Sequence, residues 1–195
     1  MSEEPPVVLA SASPRRKDLL RQIGIEPQIR VADVDETPLP AETPAAFVER
    51  LARDKVLAVS SAVAPDAIVI GADTAIELDG RIIGKPTDRE DAIAILSQLS
   101  GRVHQVHTGV AVGRGAQRDT AVVSSKVHFR ALSQREIEAY WRSGEPCDKA
   151  GAYAIQGLGA VFVERIEGSY SAIMGLPLFT VSALLARYGV DLLQA

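Results

Sequence analysis

Residues 68–86, IVIGADTAIELDGRIIGKP, place Asp79-Gly80 between two apolar arms, and this stretch limits the possible folds most. An Asp-Gly pair in that context is a strong signal for a two-residue β-hairpin turn. Residues 103–112 and 119–131 also have β-like composition, with a turn expected at Gly113–Gly115. Hairpins require antiparallel strand pairs, which fit poorly with a doubly wound parallel sheet. We therefore expect an α/β fold with a mixed sheet that contains antiparallel hairpins.

Helix signals alternate with these strands. Serine or threonine followed by proline opens two predicted helices, and glycine follows the end of most of them. The expected elements are a strand at 7–11, an extended segment at 28–35, and helices at 15–23, 43–62, 88–100, 133–144 and 177–188. We assign no regular element to the glycine-rich segment 149–175. Without an internal repeat or a clear linker, residues 1–195 are expected to form a single domain.

Composition excludes several classes of function. The net charge of −4 and the aromatic content of 5% argue against a nucleic-acid partner. No apolar stretch approaches the roughly 20 residues that span a bilayer, and the N-terminus, MSEEPP, lacks the features of a signal peptide. We therefore expect a cytoplasmic protein that does not contact a membrane. A single cysteine, Cys147, excludes an intrachain disulfide and is expected to be buried or incidental.

The segment LASASPRRKDLL places Arg15 and Arg16 in the first turn of a helix. The helix dipole disfavours cations there by about 0.3–1 kcal/mol each, unless an anion binds at the same place. Free backbone N–H groups, the hydroxyls of Ser11 and Ser13 and two guanidinium groups would together form a phosphate site. The alternative is that both arginines are solvated and pair with surface carboxylates.

Lys55 falls within the apolar face of the predicted helix 43–62. At about 100° per residue, it lies in the middle of an arc formed by Phe47, Val48, Leu51, Ala52, Ala58, Val59 and Ala62. An unpaired buried ammonium group would cost several kcal/mol, so its tip needs either an anion or an exit to water. An exit to water is the more frequent outcome for a single lysine, but the central position in the arc argues for an anion.

The hairpin carries an acid, a hydroxyl and a lysine close together. With a two-residue turn, Thr74 faces Lys85, and a loop one residue longer would place Asp73 there instead. A carboxylate at the end of a buried strand can hold a divalent metal or accept a proton from water, while the lysine can neutralise phosphate charge. The alternative is a structural ion pair between Asp73 and Lys85.

Two weaker signals remain. Gln156 lies in the glycine-rich stretch DKAGAYAIQGLG, and its amide could match the acceptor–donor–acceptor edge of uracil or thymine. A glutamine whose amide is satisfied within a turn is the more frequent situation. His104 and His107 would point to opposite faces of a strand, so we interpret both as structural.

Six segments in order along the chain resemble the Maf family, also called septum-formation-inhibitor-like proteins. They are LASASPRR, ARDK, GADT with GKP after it, LSGRVHQVHTGVAV, DKAGAYAIQG and GSYSAIMGLPL. The resemblance implies an inosine-triphosphatase-like fold with two lobes around a cleft. It also implies a divalent-metal-dependent nucleoside triphosphate pyrophosphatase, which hydrolyses the bond between the α and β phosphates. The stretch GAYAIQG is similar to the branch that accepts dTTP and UTP.

Roles follow from the resemblance, motif by motif. Asp73 would activate water or position it through a metal, and Glu36, in the acidic loop, is a candidate metal ligand. Lys55 and Lys85 would assist catalysis and bind the triphosphate. The remaining substrate-binding residues would be Ser11, Ser13, Arg15, Arg16, Thr74 and Gln156, with Arg16, Thr74 and Gln156 linked to the choice of base.

Two further expectations come from the family. Its association with septum formation leaves open a nucleotide-binding regulator of cell division, in which hydrolysis is incidental. The same binding residues would serve that role, so turnover distinguishes the two. The family also suggests a homodimer.

Overall fold

The computed structural model describes residues 5–193. Seven strands are present in this part of the chain: β1 (Val7–Leu9), β2 (Gln28–Ile29), β3 (Ile68–Leu78), β4 (Arg81–Ile83), β5 (Val103–Arg114), β6 (Gln117–Phe129) and β7 (Val163–Glu167). The α-helices are α1 (Pro14–Gln22), α2 (Pro44–Ser60), α3 (Arg89–Leu99), α4 (Gln134–Arg142), α5 (Tyr170–Met174) and α6 (Leu178–Ala186). Three short 3₁₀ helices lie at Glu145–Asp148, Ala150–Ala152 and Leu158–Phe162.

The strands form one mixed sheet in the order β2-β1-β3-β5-β6-β7, with β4 also paired to β3. β1 is parallel to both β2 and β3, and the other pairs are antiparallel. Asp79 and Gly80 both have positive φ, at 52° and 76°, as a two-residue hairpin turn with the twist of the strands requires. The predicted mixed sheet and its first hairpin are therefore confirmed.

One edge of β3 is left partly uncovered. β5 pairs with β3 from Val69 to Glu77, so β1 and β4 share the opposite edge. On that edge β1 pairs with residues 68–70 and β4 with residues 76–78. Residues 71–75, which include Asp73 and Thr74, lie in the gap between them. The β3–β4 ladder stops at Ile76 and Ile83, so Thr74 and Lys85 share the predicted register without forming a strand pair.

Helix α2 lies directly on one face of the sheet. A Cβ atom at Gly71 would overlap the carbonyl oxygen of Ala52, and one at Gly109 would overlap that of Val48. Only glycine allows the helix backbone to approach this closely. The buried residues of α2 are Phe47, Val48, Leu51, Ala52, Lys55, Val56 and Val59. Ala58 and Ala62, expected in the apolar arc, are exposed, because the arc is narrower than predicted and the helix ends at Ser60.

Two apolar clusters cover the other face of the sheet. The first packs α1 and α6 against Ile68, Ile70 and Val110. The second packs α3 and α4 against Ile76 and Val106. Along β3, Thr74 lies between the two clusters.

Several boundaries differ from the predictions. The extended segment at 28–35 contains only the two-residue strand β2, and the turn expected at Gly113–Gly115 lies after Arg114, where Gly115 has a positive φ of 57°. The segment 149–175, to which no element was assigned, contains β7 and α5. The sequence of β7 does not reveal a strand, because its pairing partner β6 is distant in the chain. The last helix is α6, preceded by the separate helix α5. Cys147 is exposed rather than buried. Among the described helices, none is both long and apolar enough to cross a membrane.

Candidate active site

A cleft of about 760 Å³ opens at the gap on the edge of β3. Its walls come from the loop after β1, from β3 and α2, from the end of β4, and from the segment between α4 and α5. All ten residues that the sequence selected line this one cleft: Ser11, Ser13, Arg15, Arg16, Glu36, Lys55, Asp73, Thr74, Lys85 and Gln156. The structure thus brings together side chains that are up to 145 positions apart, from Ser11 to Gln156.

Lys55 joins the two acidic side chains of the cleft. Its Nζ lies 2.6 Å from Asp73 Oδ1 and 2.7 Å from Glu36 Oε1, and both Lys55 and Asp73 are buried. Of the two alternatives for this ammonium group, an anionic partner or an exit to water, the structure shows the anionic partner. Burial raises the pKa of Glu36, but the hydrogen bond and charge of Lys55 outweigh this, with help from Lys85 and Arg16, and the net pKa is lowered.

Asp73 pairs with Lys55 and not with Lys85, so the alternative of a structural Asp73–Lys85 ion pair is wrong. Lys85 is exposed and follows Gly84, whose carbonyl oxygen accepts a hydrogen bond of 2.9 Å from the backbone N–H of Gly151. This contact fixes the end of β4 against the segment after α4. Lys85 is thereby held at the cleft with its ammonium group available to a ligand.

Arg16 is bound by neutral acceptors. Its Nε donates to the carbonyl oxygen of Gly175 at 2.9 Å, Nη1 to Ser11 Oγ at 3.0 Å, and Nη2 to Thr74 Oγ1 at 3.4 Å. Burial lowers the pKa of Arg16, and the charge of Asp73 partly opposes this effect. In the described residues, no carboxylate oxygen lies within 4.0 Å of Arg15, Arg16 or Lys85. The alternative for Arg15 and Arg16, in which both pair with surface carboxylates, is therefore wrong.

The Ser11 hydroxyl can donate a hydrogen bond to a ligand on this side of the cleft. Its Oγ accepts hydrogen bonds from Arg16 and, at 3.2 Å, from the backbone N–H of Ser13. Because the hydroxyl is an acceptor twice, its own hydrogen remains available to an anion. Ser13 occupies the N-cap position of α1, but its side chain makes no capping hydrogen bond, so its hydroxyl is also available.

The charges in the cleft favour a polyanion. Arg15, Arg16, Lys55 and Lys85 face two carboxylates, those of Glu36 and Asp73, which leaves a net charge of +2 among the predicted residues. Asp148 and Lys149 also line the cleft, but they pair with each other and add no net charge. The cleft is thus positive in a protein whose net charge is −4.

Gln156 lies on a loop that Glu145 holds in place. The Glu145 carboxylate accepts hydrogen bonds from Tyr140 Oη at 2.5 Å, from the Leu158 N–H at 2.8 Å and from the Gly159 N–H at 3.0 Å. Tyr140 Oη in turn accepts from the backbone N–H of Ala154 at 3.1 Å. Burial raises the pKa of Glu145, but these hydrogen bonds together lower it.

Sequence reasoning missed the roles of Glu145 and Tyr140. The only local signal is the glycine at position 157, where a Cβ atom would overlap the Glu145 carboxylate. The pairing joins α4, a 3₁₀ helix and a loop, and no spacing rule within one helix or strand relates them. Asp148 and Lys149 were also missed, although they belong to the quoted DKAGAYAIQG segment.

The two histidines lie apart from the cleft chemistry. His104 Nε2 is 2.8 Å from Tyr153 Oη in the second apolar cluster. His107 lies on the other face of the sheet, between Glu77 Oε2 at 2.7 Å and Ser124 Oγ at 2.8 Å. Neither residue lines the cleft. Their opposite directions agree with the expectation from the sequence.

The donor set of the cleft suits a metal that relies on its substrate for ligands. Within residues 5–193, no group of three or more histidine, cysteine, aspartate or glutamate side chains could hold a metal ion by itself. Asp73 and Glu36 converge on the same ammonium group and can supply two carboxylates. Magnesium commonly binds through one or two carboxylates together with substrate phosphates and water, so the residues present fit such an ion.

Comparison with known proteins decides the family. The family model described as "Maf-like protein" matches residues 6–188. The chain belongs to the Maf family. A Maf relative from Vibrio cholerae, named dTTP/UTP pyrophosphatase, is 52% identical over 182 residues, covering 93% of this chain and 97% of the relative. Another from Hahella chejuensis, with the same name, is 49% identical over 188 residues, covering 95% and 94%.

A solved structure supports the fold of this Maf protein. The HAM1 protein from Coxiella burnetii superposes with a TM-score of 0.50 at 16% identity, covering 94% of this chain and 100% of that one. At this identity the likeness concerns the fold alone. The predicted fold class is confirmed at that level.

Proposed function

We propose that this protein is a nucleoside triphosphate pyrophosphatase that hydrolyses dTTP and UTP to the nucleoside monophosphate and pyrophosphate. The observation that carries the proposal is the cleft in which three cations, Arg15, Arg16 and Lys85, surround the buried Asp73–Lys55 pair. Relatives that are about 50% identical over nearly the whole chain are named dTTP/UTP pyrophosphatase. A triphosphate carries about four negative charges at neutral pH, and a cluster of fixed cations stabilises such charge best in a partly buried site.

The phosphates would bind to the wall that carries unpaired cations. Arg15, Arg16 and Lys85 have no carboxylate partner among residues 5–193, and the hydroxyls of Ser11 and Ser13 can donate beside them. Guanidinium groups bind phosphate through paired N–H donors, while an ammonium group acts as a point charge. The triphosphate would therefore lie between the N-terminus of α1 and the end of β4.

Asp73 would act as the base. A water molecule beside its carboxylate would attack the α-phosphorus, a new oxygen–phosphorus bond would form, and the bond to the bridging oxygen would break. The water proton passes to Asp73, and pyrophosphate leaves with the bridging oxygen. Lys55 holds Asp73 in one orientation, since the Nζ contact and the burial of both side chains restrict rotation.

A divalent cation, magnesium or manganese, would be held by Asp73 and Glu36 together with the substrate phosphates. When bound, it would neutralise phosphate charge and polarise the reacting phosphoryl group. Lys55 lies between the same two carboxylates, so it fixes their separation.

Base choice would rest on Gln156, with Thr74 and Arg16 at the opposite wall. The exposed Gln156 amide offers one acceptor and two donors, which can match the edge shared by uracil and thymine. We further infer a cytoplasmic location, because nucleoside triphosphates are held there. The homodimer stays a prediction.

Product analysis tests the proposal. Purified protein is incubated with dTTP, magnesium and ¹⁸O-labelled water, and the products are separated and weighed by mass spectrometry. We expect dTMP carrying the label and unlabelled pyrophosphate. Orthophosphate with dTDP, or label in the pyrophosphate, would contradict attack at the α-phosphorus.

A further inference from the structure

Thr108 lies behind the cleft, where it contacts Thr74. It is on β5 directly opposite Thr74 of β3, it is 0% exposed, and it does not line the cleft. Its Oγ1 is 3.0 Å from Thr74 Oγ1 and donates to the carbonyl oxygen of Ala172 at 2.7 Å. Nothing in the proposed reaction requires a buried hydroxyl at this position.

The direction of these hydrogen bonds follows from the number of protons. A hydroxyl has one hydrogen to donate, and a carbonyl oxygen can only accept. Thr108 gives its hydrogen to Ala172, so it must accept in the contact with Thr74. The hydrogen of Thr74 is then directed inward to Thr108. Thr74 consequently presents only lone pairs to the cleft, where Arg16 Nη2 is the donor at 3.4 Å.

The same chain of contacts closes into a ring. Gly175 donates its backbone N–H to Ala172 O at 2.8 Å, and its own carbonyl oxygen accepts from Arg16 Nε at 2.9 Å. Gly175 has a φ of 117°, a conformation that glycine adopts without strain. Two of the Arg16 hydrogen bonds therefore lead back to the carbonyl oxygen of Ala172 on α5. One route passes through Gly175, and the other passes through Thr74 and Thr108.

We propose that Thr108 is a positioning residue for the proposed reaction: it fixes Thr74 as a hydrogen-bond acceptor and thereby orients the Arg16 guanidinium group towards the substrate. The proposal rests on the proposed function of the cleft. Without the Thr108 hydroxyl, the Thr74 hydrogen has no inward acceptor, and the Thr74 hydroxyl can rotate freely. Its lone pairs are then no longer held towards Arg16 Nη2, so Arg16 loses one of its three fixed contacts.

Steady-state kinetics with dTTP test this role. Thr108→Val has nearly the same shape as threonine but lacks the hydroxyl, and we expect KM to rise about tenfold, the change that corresponds to one hydrogen bond to a charged group. Thr108→Ser keeps the hydroxyl, and its KM should stay within about twofold of the parent value. Thr108→Ala removes the same hydroxyl without a new methyl group and should reproduce the loss. Thr120→Val is the matched control, since Thr120 donates to Glu49 outside the cleft.

A double-variant cycle separates positioning from a merely structural effect. In a Thr74→Val background the proposed route through Thr74 is already lost, so Thr108→Val should change KM by less than about twofold further. Equal effects of Thr108→Val in both backgrounds would overturn the proposal, as would a parental KM in Thr108→Val or Thr108→Ala. Failure of the parent protein to hydrolyse dTTP would instead refute the proposed function.

Discussion

Lys55 illustrates how one residue organises the site. Its ammonium group lies between Asp73 and Glu36, at 2.6 and 2.7 Å, on a helix face that is otherwise apolar. A buried cation without a partner would cost several kcal/mol, and the carboxylates at its tip offset part of that cost. The same contact orients Asp73 for the proposed chemistry.

The position of Lys55 in the apolar arc predicts that an anion meets it, but not which one. Asp73 is 18 positions away on β3, and Glu36 lies in an exposed loop before α2. Their convergence depends on the close approach of α2 to Gly71 and Gly109. That approach is a property of the packed sheet and helix, which the spacing of residues within α2 does not contain.

His104 makes stability depend on pH. Burial, with a smaller effect of the His128 charge, lowers its pKa from 6.5 to about 4, and its Nδ1 has no partner in the described structure. Between these two pH values the unfolded chain binds a proton that the folded protein does not. The free energy of unfolding should therefore decrease as pH falls from 6.5 to 4, by about 3 kcal/mol from this group.

Urea unfolding of the parent and of His104→Phe at several pH values measures this contribution. The variant has no titrating group at this position, so its stability should fall less steeply over that interval. Because other groups titrate in both proteins, the difference between the two slopes is the relevant quantity. Parallel curves would show that His104 does not contribute.

Among the elements of the fold, the β3–β4 hairpin is predictable and the segment after α4 is not. The turn at Asp79-Gly80 sets its own register, because its local dihedral angles match the twist of the strands. The capping box of Ser133 and Glu136 likewise marks the start of α4. In contrast, residues 145–159 are ordered by the contacts of Glu145 and Tyr140, and β7 needs β6 as its partner.

Glu145→Gln should loosen the loop that carries Gln156. An amide keeps one acceptor oxygen and places N–H donors where the second carboxylate oxygen now accepts from Leu158. We expect kcat/KM for dTTP to fall about tenfold and the preference for dTTP over dCTP to shrink, as for the loss of one charged hydrogen bond. Steady-state kinetics with both nucleotides measure the effect.

Glu138→Gln is the matched control for this change. Glu138 lies on the preceding helix α4 and carries the same charge, but it accepts from Gln134 and lies 3.9 Å from Arg89, away from the loop. Its substitution should alter kcat/KM by less than about twofold. If Glu145→Gln has the same kcat/KM as Glu138→Gln, the hydrogen bonds of Glu145 to the loop do not affect recognition of the base.

For the whole molecule, the sheet places a positive cleft in an acidic protein. The gap between β1 and β4 exposes residues 71–75 of β3, and the other walls bring cations from α1, α2 and the end of β4. Four of the six family segments contain nine of the ten predicted cleft residues, and Glu36 lies outside all six. The gap itself depends on which strands share an edge of β3, and this long-range pairing is not encoded in any single segment.

Turnover and binding by Asp73→Asn test the central claim most directly, namely that Asp73 performs chemistry on a triphosphate held by the surrounding cations. Asparagine has nearly the same shape but cannot accept the water proton. We predict that dTTP turnover falls at least about a thousandfold, while the Kd for dTTP, measured by calorimetry, rises less than about threefold. Parental turnover in this variant would contradict the account.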